Sequence, residues 1–212
     1  MSTSDVRPRT RKSPQQRSGE IHDAAIELAR EEGLSSLTLR AVAARAGVVP
    51  GLVAHYASSM DELVARTFRE LTASELDDVR THAETEAEPA ARMARMISTV
   101  LSSDHDDVTL VWVDAWSLGR GSAPLSVAID EQMSAWQSFI AQLIEDGRRT
   151  GVFRTDDTDA VAWQILAMID GIAAHALTRR TDAALFAARL AQACETLVGA
   201  APGVIGEHLA SS

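Results

Sequence analysis

Apolar positions along this chain recur at intervals of three and four, the spacing that gives a helix one inward face, and the strict alternation expected of half-buried strands is absent. Ile21, Ala24, Ala25 and Leu28 share such a face. Ser13, Pro14 and Gln16 ahead of them form a capping-box arrangement, and Gly33 ends the stretch. Leu39, Val42 and Ala43 mark a short second helix capped by Thr38 and running to about Arg45. Gly47 supplies a turn, Pro50 opens a third helix that ends near Tyr56, and Ser59 with Glu62 caps a long fourth to about His82. An acidic connection, residues 84–89, leads to helices expected at 90–103, 107–119, 124–149, 158–178 and 182–198. The breaks between them, SSDHDD, GRGSAP, TGVFRTDD and TRRTD, hold the residue types that cap or stop helices. The pattern predicts an all-α fold of about nine helices.

Within it, residues 37–63 compress two short helices, a glycine turn and the start of a third into the layout of a helix-turn-helix. Ala43 is small where two helices cross, Gly47 tolerates positive φ, and Val48 with Val53 fastens the third helix to the rest. Pro50, Gly51, Leu52, His55 and Tyr56 then remain to face base edges and phosphates.

Charge divides the 212-residue chain in the same place. The whole carries −10, but residues 1–72 hold 10 Lys+Arg and 9 Asp+Glu, net +1, and residues 73–212 hold 10 and 21, net −11. Only the first third suits phosphate. Arg7, Arg9, Arg11, Lys12 and Arg17 make a basic arm suited to a minor groove, although a plain disordered tail has the same composition. The expected divisions are a disordered arm at 1–13, a DNA-binding domain at 14–58, an effector-binding and dimerisation bundle at 59–200 and a C-terminal tail at 201–212.

From Ala46 to Leu63 the chain resembles the TetR family of transcriptional regulators, in Ala46-Gly47-Val48, Gly51, Val53, the His55-Tyr56 pair and the segment Ser59 to Leu63, with Thr38 upstream. The family pattern departs at Val49, usually Ser; at Ala54, commonly an aromatic backbone contact; at Ala57, usually Phe; and at Met60, usually a phosphate-binding Lys. The resemblance implies DNA contacts from Thr38, Gly51, His55 and Tyr56, while Arg40 and Arg45 are added on charge. It also implies a double-stranded operator, a small-molecule effector and a homodimer, with repression relieved by ligand. A helix-turn-helix architectural or partner-binding protein of weak operator specificity is the alternative, favoured by the departures at Ala54 and Met60.

Three tryptophans fall on the sixth and seventh expected helices, and Trp112 and Trp116, four apart, share a face. Met93, Met96, Trp112, Trp116, Met133, Trp136, Phe139 and Met168 line a cavity or fill a core. Asp114 and Asp170 interrupt apolar helices, a costly arrangement when buried unpaired, and are either exposed, paired with Arg or turned to a polar ligand. The segment VWVDAWSLGR, residues 111–120, also resembles the choline-responsive repressor branch, which implies an amine-bearing effector held by indole faces and a carboxylate; otherwise an amphipathic molecule is expected. The stripes on the last two helices, with Ala167, Gly171, Ala174, Phe186, Leu190, Ala193 and Leu197, pair with a second copy or face the subunit's own core.

One cysteine, Cys194, excludes an intramolecular disulfide and a multi-cysteine metal site, and no apolar run reaches membrane-spanning length. Metalloprotease, phosphate-loop and di-iron signatures are absent, and no cofactor is expected. Of six histidines, His175 is the one expected inside. The expectation is a cytoplasmic, non-enzymatic regulator.

Overall fold

Ser13 sets where the first helix begins. Its hydroxyl accepts the Gln16 backbone N–H at 3.2 Å, and its own N–H donates to the Gln16 side-chain oxygen at 2.9 Å, so two amides that the helix cannot satisfy internally are paired. The computed structural model describes residues 13–178 and 183–209; Arg7, Arg9, Arg11 and Lys12 lie outside them. The described elements are α1 (Pro14–Glu32), α2 (Leu39–Arg45), α3 (Pro50–Tyr56), α4 (Met60–Glu84), α5 (Pro89–Val100), α6 (Asp106–Leu118), α7 (Ala123–Thr150), α8 (Thr158–Ala176), α9 (Ala183–Leu197) and α10 (Gly206–Leu209), with 3-10 turns at Leu34–Ser36, Ser103–His105 and Gly119–Gly121. The described fold is all-α, as the spacing predicts.

α1, α2 and α3 form a small head around Leu28, Leu34, Val42 and Val53, all buried. α4, about 37 Å long at the helical rise, leaves the head and packs along α7, which in turn lies against α8. α5 and α6 fill the space between, and α9 closes the side beyond α8.

Three expectations change here. The segment after residue 200 is not loose through residue 209: the Glu195 carboxylate accepts N–H groups of Gly203, Ile205 and Gly206 at 2.9, 2.9 and 3.0 Å, Ile205 is fully buried, and α10 packs on α5. Burial pushes the Glu195 pKa up, but the three amides outweigh it and hold the group below the ordinary carboxylate value. His175 is exposed, in step with Trp163, Ala167 and Gly171 at intervals of four on the outer side of α8, and the buried histidines are His22 and His105. The apolar stripes serve the subunit's own core first: Val161 and Ile165 of α8 are buried, and Leu190 is only 2% exposed.

The end of α7 shows how tightly the chain turns. A Cβ at Gly147 would lie 2.0 Å from the buried Phe153 ring, and both the Val152 and Phe153 amides donate to the Gly147 carbonyl. The ring cannot swing away through a packed core, so Gly147→Ala is expected to destabilise the protein by about 1–3 kcal/mol, read as a lowered midpoint in thermal unfolding followed by circular dichroism.

Candidate functional site

The head carries the first candidate surface. The Thr38 hydroxyl caps α2 by accepting the Ala41 N–H at 3.2 Å, Gly47 turns at φ 64°, and the Val48 N–H returns to the Ala43 carbonyl at 2.9 Å. Only a residue without Cβ takes that φ cheaply. Val53 is fully buried and anchors α3, leaving Pro50, Gly51, Ala54 and His55 exposed and Leu52 and Tyr56 half-buried. The His55 and Tyr56 rings meet edge-on at 5.0 Å, which fixes both on one edge of α3. Val49, at the position expected to lose a cap, precedes α3 without a side-chain cap and is 69% exposed.

Arg40 is exposed, as a phosphate contact must be. Arg45 is committed elsewhere: its guanidinium forks onto Glu31 at 3.0 and 2.5 Å, with Glu27 at 3.7 Å. That pairing holds the Glu31 carboxyl below its usual value and makes Arg45 a brace between α2 and α1 that phosphate has to compete for. Arg17 sits on α1 beside Glu20 at 2.8 Å.

The second candidate is a narrow cavity in the bundle, open to solvent at its mouth. Trp112 and Trp116 from α6, Trp136 and Met133 from α7, Asp170 from α8 and Glu75 from α4 line it. Trp112 packs edge-on against Phe68 at 4.9 Å and lies 5.9 Å from Trp116, so the indoles hold one another in place. Glu75, 6% exposed, accepts the Trp112 Nε1–H at 3.1 Å and faces His105 Nδ1 at 3.6 Å; His105 Nε2 is 3.5 Å from Asp78. The Glu75 interaction, reinforced by Asp78 and Asp107, raises the His105 pKa above its ordinary value despite burial. Asp170 has no such compensation: burial, then the charge of Glu75, pushes its pKa up to about 7.

The structure therefore gathers Trp112, Trp116, Met133, Trp136 and Asp170 of the ligand candidates. Met93, Met96 and Phe139 are core, and Met168 packs at the core's margin without lining the cavity. Phe139 instead lies under the Arg80 guanidinium at 5.4 Å. Asp114 points away from the cavity. Two residues on from Trp112, it falls on the opposite side of α6, where its carboxylate accepts the Ser35 N–H at 2.8 Å. Asp107, about two turns before it, pairs with Arg30 at 2.5 Å. Gly33, at φ 82°, fits there because a Cβ would come within 2.5 Å of Asp114 Oδ2. α6 thus presents indoles to the cavity and carboxylates to the head.

Glu75 is the residue that periodicity does not flag as a ligand group. The available signal was its place among Phe68, Leu71, Thr72, Leu76 and Val79 on the apolar face of α4, where a charge is costly. Among the dimer candidates, Ala167 and Gly171 are exposed, Ala193 and Leu197 half-buried, Ala174 lines the cavity, and Phe186 and Leu190 turn inward. They turn inward because α9 must also cover α5 and α8. No helix among the described residues is long and apolar enough to cross a membrane.

Known proteins match both the head and the bundle. Residues 21–67 match the family of bacterial regulatory proteins called the tetR family, and residues 89–201, more than half the chain, match the C-terminal domain of BetI-type transcriptional repressors. The HTH-type transcriptional regulator BetI of Rhizobium meliloti is 27% identical over 150 residues, 71% of this chain and 72% of its own. A putative transcriptional regulator from Pseudomonas aeruginosa PAO1 has the same fold, with a TM-score of 0.72 at 20% identity, over 97% of this chain and 98% of its own. One from Saccharomonospora viridis, solved in complex with choline, gives 0.72 at 19% identity over 87% and 96%. With a helix-turn-helix head and a matching regulatory bundle, the chain belongs to the TetR family of transcriptional regulators.

Proposed function

We propose that the protein is a repressor that binds a palindromic operator as a homodimer and is released when a small organic cation enters the cavity between α4, α6, α7 and α8. The observation that carries this reading is the two-sided α6, with Trp112 and Trp116 on the cavity and Asp114 and Asp107 on the head. Three indoles beside two carboxylates suit an ammonium ion, which gains cation–π attraction in a site where its charge is also neutralised. Choline, bound by the Saccharomonospora viridis protein, is such a cation.

Dimerisation is supported by the outer side of α8, where Trp163 is 57% exposed beside Ala167 and Gly171, and by Leu185 of α9 at 52%. Small residues let two helices approach, and large exposed apolar side chains ask for cover. In the DNA-bound state the two copies of α3 sit about 34–36 Å apart, one turn of the duplex. Cation entry displaces α6, and the Asp114–Ser35 and Asp107–Arg30 contacts carry that displacement to the head, with a coupling of about 1–3 kcal/mol.

Three expectations follow from this scheme. In fluorescence anisotropy with a palindromic fragment from the gene's own promoter region, Tyr56→Phe and His55→Ala are expected to weaken binding by about 1–3 kcal/mol each without changing the oligomeric state in sedimentation. Equal affinity of the parent protein for unrelated DNA would instead favour an architectural role. Asp114→Ala is expected to leave choline affinity and operator affinity near their parent values while blunting choline-driven release, because it removes one of the two linking contacts and touches neither site. Cation affinity is expected to rise as pH climbs toward about 7 and to level off above it. Below its raised pKa, Asp170 is protonated and must release that proton to face a cation; above it, the carboxylate is already ionised, opposite Glu75 from α4 and its partner His105. Calorimetry of Asp170→Asn should give weaker binding and a flattened pH profile.

A further inference from the structure

A second cavity abuts the first. It is a small recess open to solvent that shares three wall residues with the tryptophan-lined cavity, Val100, Thr109 and Ala173. The divide is therefore built from small side chains. Beyond it the wall is mainly apolar, with Ile172 and Ala176 from α8 and Phe186 from α9, and it reaches solvent beside Ser102 and Asp106. Among the described residues, neither cavity has a lysine or arginine in its wall, while Glu75, Asp170 and Asp106 are all acidic. The described wall at the tryptophan end, with Glu75 and Asp170, suits a cation.

We propose that the two cavities form one elongated site for an amphipathic alkylammonium ion, with the cationic head among Trp112, Trp116 and Trp136 and the alkyl tail running past Thr109 and Ala173 toward Ile172 and Phe186. This rests on the cation reading above and adds the shape of the ligand. A head group alone leaves the second cavity unused. A tail that enters it exchanges water for apolar wall, and each methylene so buried tightens binding about fourfold.

The test is a tryptophan-fluorescence titration of the full chain with tetramethylammonium, butyltrimethylammonium and octyltrimethylammonium. Affinity is expected to climb along the series by about fourfold per methylene until the tail reaches the Asp106 mouth. Ala176→Phe, which intrudes on the second cavity alone, is expected to leave tetramethylammonium within about twofold of the parent and to abolish the gain from the octyl chain. Phe186→Ala, which removes tail contacts without adding bulk, should lower the gain per methylene. Tetramethylammonium binding with no gain along the series would overturn the tail subsite and leave the cation site standing. A gain that survives both substitutions places the tail elsewhere and also overturns it. Failure of every ammonium ion to bind removes the cation reading and this inference together.

Discussion

A carboxylate buried at the middle of a helical bundle has to be held by hydrogen bonds and opposite charge, or the fold loses several kcal/mol to its desolvation. Glu75 is that group. Trp112 donates to one oxygen and His105 faces the other, so α4, α6 and the turn between α5 and α6 are tied at one point. The pairing offsets the cost of burial more than it adds stability, and its consequences are positional. It fixes the plane of the Trp112 indole, keeps His105 charged above its ordinary range, and places a negative charge opposite Asp170, whose own ionisation is then opposed. The raised pKa of Asp170, set first by its own burial, is thus reinforced by the charge that this constraint places in the cavity wall.

The same helix that holds the indoles also touches the DNA-binding head, and this follows from helical geometry. Residues two apart point to nearly opposite sides, so Trp112 and Asp114 face the cavity and the α1–α2 connection respectively. The indoles and Asp114 are carried on one 13-residue helix, and the proposed release of the head depends on that shared support. Gly33 makes the junction close enough to matter: only a residue with no Cβ lets the carboxylate reach the Ser35 amide there.

The head itself was legible from the chain almost residue by residue. The Ser13 capping box, the Thr38 cap, the Gly47 turn and the Pro50 start all depend on contacts within four or five residues, so spacing alone specifies them. The tryptophan-lined cavity was half legible. Trp112 and Trp116 share a face by their spacing, but Asp114 looked equally suited to the ligand until the rotation of α6 against the head sent it the other way. Arg45 looked like a phosphate contact on charge, and its pairing with Glu31 depends on how α2 crosses α1.

The sequence by itself determined the helices, their caps and breaks, the helix-turn-helix and the concentration of basic charge at one end, because each is set by local hydrogen bonding or by composition. Tertiary structure decided which apolar stripes face inward, that Glu75 rather than Asp114 meets the cavity, that His105 and not His175 is buried, and that the chain after residue 200 is clasped by Glu195. Those outcomes depend on the rotation of each helix about its own axis relative to neighbours distant in the chain. A period of 3.6 gives every helix a face but does not say which partner that face will meet.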